Sequence, residues 1–280
     1  MTENTIVVVG GTGTTGRRVA ARLRDMGAAV RVASRSGERR FDWNDRGTWD
    51  HALEGARAAY VVPFDGALLT RPFVERAEAL GVRRLVLLSG RGVDVPGYAD
   101  GSGTVGAGHI DGESAVRGSG LAWTILRPGW FAQNFSEGFF RDAVLAGELR
   151  LPAAGGAASF VDAADIADVA VAALTGDGHE GRTYELSGPR ALTIAEAVAE
   201  ISAVTGRTIR YVPLSPETYV AELIAQGWPE REAGEFAGAV APIRSGLDAH
   251  LSDGVRRALS REPRDFTTFA RAAATAGAWG

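Results

Sequence analysis

Residues 108–114 read GHIDGES and place His109 and Glu113 four positions apart in a chain with only four histidines. On a helix the two side chains share a face, one turn apart. A histidine can gain or lose a proton near neutral pH, and a carboxylate one turn on can orient it or hold a ligand hydroxyl. Three readings are open at this point. His109 donates a proton to a substrate oxygen with Glu113 behind it. The pair merely steadies a helix start, an effect of roughly 0.2–0.5 kcal/mol. Or His109 binds a ligand without moving a proton.

A second set of residues points to a ligand of a particular shape. In VVVGGTGTTGRR, Gly11, Gly13 and Gly16 fit G-x-G-x-x-G, and Gly10, Gly13 and Gly16 fit a wider G-x-x-G-x-x-G. A strand leads in and a helix leads out, the context this motif requires. Glycines there permit a tight turn and close approach of backbone to a pyrophosphate, with the N–H groups of the helix N-terminus facing it. The expectation is a dinucleotide site. At the end of the next strand, VASRSGERR puts Ser34 and Arg35 where an NAD site would carry an acid, and no acid occurs before Glu38. A guanidinium suits a 2′-phosphate, so the expected cofactor is NADP(H).

Composition closes off other chemistry. The chain has no cysteine, which excludes thiol nucleophiles, disulfides and thiolate metal sites. All 30 basic residues are arginine, so Schiff-base chemistry and any lysine acid or base are excluded as well. His51, His179 and His250 are scattered, without metal-ligand spacing. A net charge of −4 gives no electrostatic reason to expect nucleic acid or an anionic membrane as partner. No apolar run approaches the roughly 18 residues of a membrane helix. The opening MTENTIVVVG enters a strand at once, without a basic leader, so a cytoplasmic location is expected.

The elements that would position these residues alternate along the first half. Strands are expected at 5–9, 28–34, 58–63, 83–90 and 121–129, with helices after the glycine turn and at 48–55 and 68–81. Runs apolar on both faces predict a parallel sheet covered on both sides. Residues 92–108 form a long glycine-rich loop before the helix of His109. Beyond Pro128, a loop entering a helix is expected over 130–147, a helix over 162–176 and a returning strand at 182–189. From 192 the chain reads as mostly helical, with one strand near 208–215. The expected fold is α/β, a doubly wound parallel Rossmann sheet with a smaller, mostly helical C-terminal lobe. The boundaries expected are 1–187 for the nucleotide-binding core, with an excursion at about 130–160, and 188–280 for the capping lobe.

Taken together, GGTGTTG, SRSG, FDWND…TWDHALEG, AAYVVP, HIDGESAVRGSGLAWTILRPGWFAQNF and SREPRDFTTFAR resemble the NmrA-like proteins, the atypical short-chain dehydrogenase/reductases, over most of the chain. The resemblance implies NADP(H) binding in a cleft under a small lobe. It implies that Gly10, Thr12, Gly13, Thr14, Thr15 and Gly16 line the pyrophosphate and that Arg35 meets the 2′-phosphate. Asp42 and Trp43, then Pro63 and Phe64, would border the adenosine. Ser89, Gly90, Pro128 and Gly129 would face the nicotinamide. Ordinary short-chain reductases carry Tyr-x-x-x-Lys on this helix; here His109 and Glu113 stand at that spacing, followed by Ser114. Tyr98, Trp130, Phe131 and Trp228 are the aromatic candidates for substrate contact. The expected activity is hydride transfer from NADPH to a small flat carbonyl or quinone-like molecule. The alternative is a non-catalytic NADP(H) sensor.

Overall fold

The computed structural model describes residues 5–64, 66–95, 98 and 106–280. Most of the 92–108 loop therefore lies outside the described residues. The first strand, β1 (Thr5–Val9), is buried throughout. Its side chains alternate between two faces: Ile6 and Val8 join one apolar cluster, Val7 and Val9 the other. That is why the segment reads as continuously apolar rather than alternating. The glycine turn leads into α1 (Thr14–Asp25), followed by β2 (Val30–Ser34) and a two-residue edge strand, β3 (Arg39–Arg40). Next come α2 (Trp49–Leu53), β4 (Ala56–Val61), α3 (Thr70–Ala79), β5 (Arg84–Leu88), α4 (Ala107–Arg117) and β6 (Ala122–Pro128).

Seven strands form one parallel sheet in the order β3-β2-β1-β4-β5-β6-β9, where β9 is Arg182–Leu186. The strand order reverses between β1 and β4, and open sheets of this kind bind ligands at the carboxyl ends of the strands flanking such a switch point. Val19 and Leu23 of α1 cover one face together with Ile166 and Val169 of α6 (Ala163–Thr175). Leu53, Phe73 and Val116 of α2, α3 and α4 cover the other. Each such fully buried aliphatic or aromatic side chain contributes about 1.5–3 kcal/mol.

The lobe has its own apolar cluster, drawn from two stretches of sequence. The first holds α5 (Arg141–Ala146), β7 (Glu148–Leu151) and β8 (Ala157–Ala158). The second holds β10 (Leu192–Thr193), α7 (Ile194–Thr205), β11 (Arg210–Pro213), α8 (Pro216–Ala225) and α9 (Glu230–Arg244). Strand β11 pairs parallel with β7, and β10 antiparallel with β8, which ties the two stretches together. Phe135 stands at the centre, edge-on to Phe140, Phe160 and Phe266. Phe139 is 68% exposed and packs its ring on Phe236.

Two further helices follow α9. Helix α10 (Gly254–Leu259) leaves the lobe and packs on β9 and α6, with Val255 buried in the sheet cluster. Helix α11 (Phe266–Thr275) returns to the lobe against α7. Arg261 and Arg264, between them, both bond to Asp165 and Asp168 of α6, pinning the C-terminal segment to the core. No helix among the described residues is long and apolar enough to cross a membrane.

Candidate active site

The turn after β1 shows what each glycine does. Gly10 has a positive φ of 73°, and a Cβ on it would stand 2.9 Å from Val62 Cβ. A Cβ on Gly16 would reach 2.3 Å from the Gly10 carbonyl oxygen, so this glycine lets α1 close onto the turn. Gly13 differs. It caps α1 with ordinary extended angles, and a Cβ there would meet only the Gly10 oxygen, at 3.3 Å. No side chain caps α1, which leaves its first N–H groups open to a ligand.

A cavity of about 360 Å³ opens from this turn between the ends of β1, β2 and β4. Gly10, Thr12, Gly13, Ser34, Arg35, Asp42, Trp43, Pro63 and Phe64 all line it, so the expected adenosine residues and three of the expected pyrophosphate residues share one space, while Thr14, Thr15 and Gly16 are not in its lining. Arg35 is exposed on its rim and has no carboxylate partner among the described residues. Ser34 Oγ is buried and likewise lacks a hydrogen-bond partner among them. Glu38, the nearest acid in sequence, is taken by Arg24 and the Val32 N–H. Two expected contacts read differently at the atomic level. Thr15 turns its hydroxyl inward to accept from Tyr60 Oη at 2.9 Å, so only its backbone is available to a ligand. Asp42 uses Oδ1 to accept the Asn44 N–H at 3.0 Å, a local turn cap on the cavity wall.

At the other end of the sheet edge, α4 packs on β5 and β6 and carries His109 and Glu113 on the side facing them. The His109 ring lies against Gly90, where an added Cβ would stand 3.7 Å from its Cδ2. Glu113, 2% exposed, accepts from Ser89 Oγ at 2.7 Å and from Arg127 Nε and Nη2, both at 2.7 Å, with Arg117 at 2.9 Å. Burial pushes the Glu113 carboxyl up, but the Arg127 fork and the Ser89 hydroxyl outweigh it and hold the acid below its usual range. Arg127 also reaches Asp94 at 2.8 Å, and its two acids raise its pKa. The sequence reading missed Arg127, although a lone charge inside the apolar run AWTILRP was a sign that a buried acid must face it.

The aromatic candidates divide. Tyr98 donates to one oxygen of Asp248, and Trp130 Nε1 donates to the other at 3.1 Å, so these two are brought together. Asp248 is 1% exposed, and burial lifts its carboxyl above the usual range against the pull of Tyr98, Arg91 and Trp130. Burial and the Asp248 charge also raise the Tyr98 hydroxyl. Phe131 packs onto the sheet cluster, while Trp228 packs on Phe236 inside the lobe.

A seven-stranded parallel sheet with an open glycine turn, a switch-point cavity and buried polar groups at the far strand ends defines a Rossmann dinucleotide-binding protein. A sequence profile described as NAD(P)H-binding matches residues 10–177, and the chain belongs to that family. It is 37% identical over 276 residues to the (4-alkanoyl-5-oxo-2,5-dihydrofuran-3-yl)methyl phosphate reductase of Streptomyces griseus, covering 93% of this chain and 95% of that one. Among solved structures it shares the fold of an NADPH-dependent quinone oxidoreductase from Escherichia coli (TM-score 0.76, 23% identity, 97% and 99% coverage). It also shares the fold of NmrA, a negative transcriptional regulator in complex with NAD (TM-score 0.73, 16% identity, 97% and 95% coverage). The NmrA-like resemblance and the NAD(P)H-binding Rossmann fold expected from sequence hold.

Proposed function

We propose that this protein is an NADPH-dependent reductase of small, flat carbonyl or quinone-like compounds, acting in the cytoplasm. The observation that carries the cofactor choice is a pair of groups on one cavity, the Ser34 hydroxyl, without a hydrogen-bond partner among the described residues, and the Arg35 guanidinium, without a carboxylate partner among them. Both can donate to a phosphate on the adenosine ribose, and neither is a carboxylate that would accept from both ribose hydroxyls. The (4-alkanoyl-5-oxo-2,5-dihydrofuran-3-yl)methyl phosphate reductase of Streptomyces griseus, 37% identical, supports the reaction class.

Bound NADPH supplies the hydride. The chain contributes position and charge. The open N–H groups of α1 and the glycine turn hold the pyrophosphate, and Arg35 holds the 2′-phosphate. Glu113, fixed by Arg127 and Ser89, keeps the ends of β5 and β6 at a set distance from α4; it is a positioning residue and not the proton donor, because its lowered pKa leaves it ionised. His109, against Gly90, is the group that gives a proton to the oxygen of the reduced carbonyl. A quinone makes less demand on it, since its ring stabilises the developing charge.

The test is NADPH and NADH consumption by the purified protein with panels of quinones, ketones and enones. At least one flat acceptor should be reduced, faster with NADPH. Tight NADPH binding with no acceptor reduced would replace this reading by the sensor.

A further inference from the structure

Arg91 lies just beyond β5 and is only 9% exposed. Its Nη1 donates to Ser159 Oγ and to the His250 carbonyl, both at 2.9 Å, with a longer contact of 3.4 Å to the Asp248 carbonyl. Its Nε and Nη2 are buried too, and neither has a hydrogen-bond partner among the described residues. Asp248, whose carboxylate oxygens receive Tyr98 and Trp130, makes no hydrogen bond to them. Unmet N–H groups on a buried charge are costly, and most buried polar groups in folded proteins are matched. Two N–H groups at this edge are thus left for a ligand by the described residues.

Its location says where. The guanidinium lies beside Gly129, where an added Cβ would stand 3.6 Å from the central carbon. Gly129 follows β6 directly, and Gly90, one residue before Arg91, carries the His109 ring against it. The free edge is therefore at the carboxyl ends of β5 and β6, where open α/β sheets take their ligands.

We propose that Arg91 is a substrate-binding residue, presenting Nε–H and Nη2–H as a fork to an oxyanion, a carboxylate or phosphate, carried by the substrate. These two N–H groups share one edge of a planar cation and match the two oxygens of such a group. Because Nη1 is already tied to Ser159 and His250, the fork is held in place before the ligand arrives, which lowers the ordering cost of binding. This deepens the reductase reading and rests on it: the flat acceptor carries an anionic substituent.

Binding to the NADP⁺-loaded protein tests the fork without requiring turnover, so a failed acceptor screen would leave the result readable. The probes are 2-naphthoate, 2-naphthyl phosphate and neutral 2-naphthamide, measured by calorimetry. The wild type should prefer at least one anion over the amide by about tenfold or more, the scale of a charged fork. Arg91→Met should abolish the preference while leaving NADP⁺ affinity within about twofold. Arg91→Lys keeps the charge without the fork and should retain only part of the preference; it carries the test if the methionine variant does not fold. The relative loss for the two anions tells carboxylate from phosphate. No anion preference in the wild type, or a preference that survives both substitutions, overturns the proposal. A fall in NADP⁺ affinity with the preference intact does so as well, because the fork would then face the cofactor.

Discussion

Arg127 grips both oxygens of Glu113, Nε to Oε1 and Nη2 to Oε2, each at 2.7 Å, across the junction of β6 and α4. The carboxylate is almost wholly buried, so its partner cannot be replaced by water. Removing one member of a buried pair leaves the other uncompensated, at a cost of about 3–5 kcal/mol. Asp94 also holds Arg127, which places Glu113→Gln toward the lower end of that range. Chemical denaturation of the variant should show this loss. The folded acid is held below its unfolded value, so its contribution is present above the ordinary glutamate range near about 4.3 and is lost as pH falls through the depressed value. The wild type should lose that stability on acidification, and the variant should lack this part of the slope.

Two glycines in one turn should fail in different ways. Gly13 has extended angles and little within reach of an added Cβ, so Gly13→Val should fold while its side chain occupies the path of the pyrophosphate. NADPH affinity by calorimetry should fall by about a hundredfold or more, with a nearly unchanged melting temperature. Gly16 has no such freedom, since its Cβ would press on the Gly10 carbonyl oxygen. Gly16→Ala should therefore destabilise the fold itself, by about 1–3 kcal/mol. Unchanged NADPH affinity in the valine variant would sink the dinucleotide assignment at this turn.

The contrast between these sites explains what the sequence disclosed. Glycine spacing and strand runs are local features, and they disclose the turn after β1 and the order of the strands because neighbours in sequence are neighbours in space. The strand expected at 58–63 instead begins at Ala56, because its start is set by pairing with Thr5 of β1. Strand β7 was hidden for the same reason: its partner β11 is far away in the chain, and neither segment signals the other. The Asp248–Tyr98–Trp130 group joins three distant segments, so no spacing rule could assemble it. Helix α10 returns to the sheet through Val255, with Ala258 and Leu259 packed beside it, too short a signal to oppose a helical stretch that otherwise belongs to the lobe.

Arg35 should decide which nucleotide is preferred. With no carboxylate partner among the described residues, its guanidinium is available to a phosphate. Arg35→Ala should weaken NADPH binding by about 1.5–3 kcal/mol, the scale of a hydrogen bond to a charged group. NADH has no 2′-phosphate to lose and should bind as before. Equal losses for both nucleotides in parallel titrations would mean that Arg35 shapes the loop rather than reads the phosphate.

His109 carries the remaining chemical question. Glu113 is committed to Arg127 and Ser89, which leaves His109 as the candidate proton donor on α4. His109→Phe keeps a flat ring against Gly90 and removes both nitrogens. Ketone turnover should then fall by roughly 10²–10⁴, the usual span for general acid catalysis. Quinone turnover should fall much less, because the reduced ring holds its charge until water supplies a proton. NADPH affinity should change little, since the cavity beside Arg35 is built from other residues. Comparing kcat for a ketone and a quinone in the same variant separates the roles. An equal fall for both substrates, with weaker NADPH binding, would make His109 a cofactor contact. Normal ketone turnover with a lower melting temperature would leave it a packing residue on α4, with the proton coming from solvent.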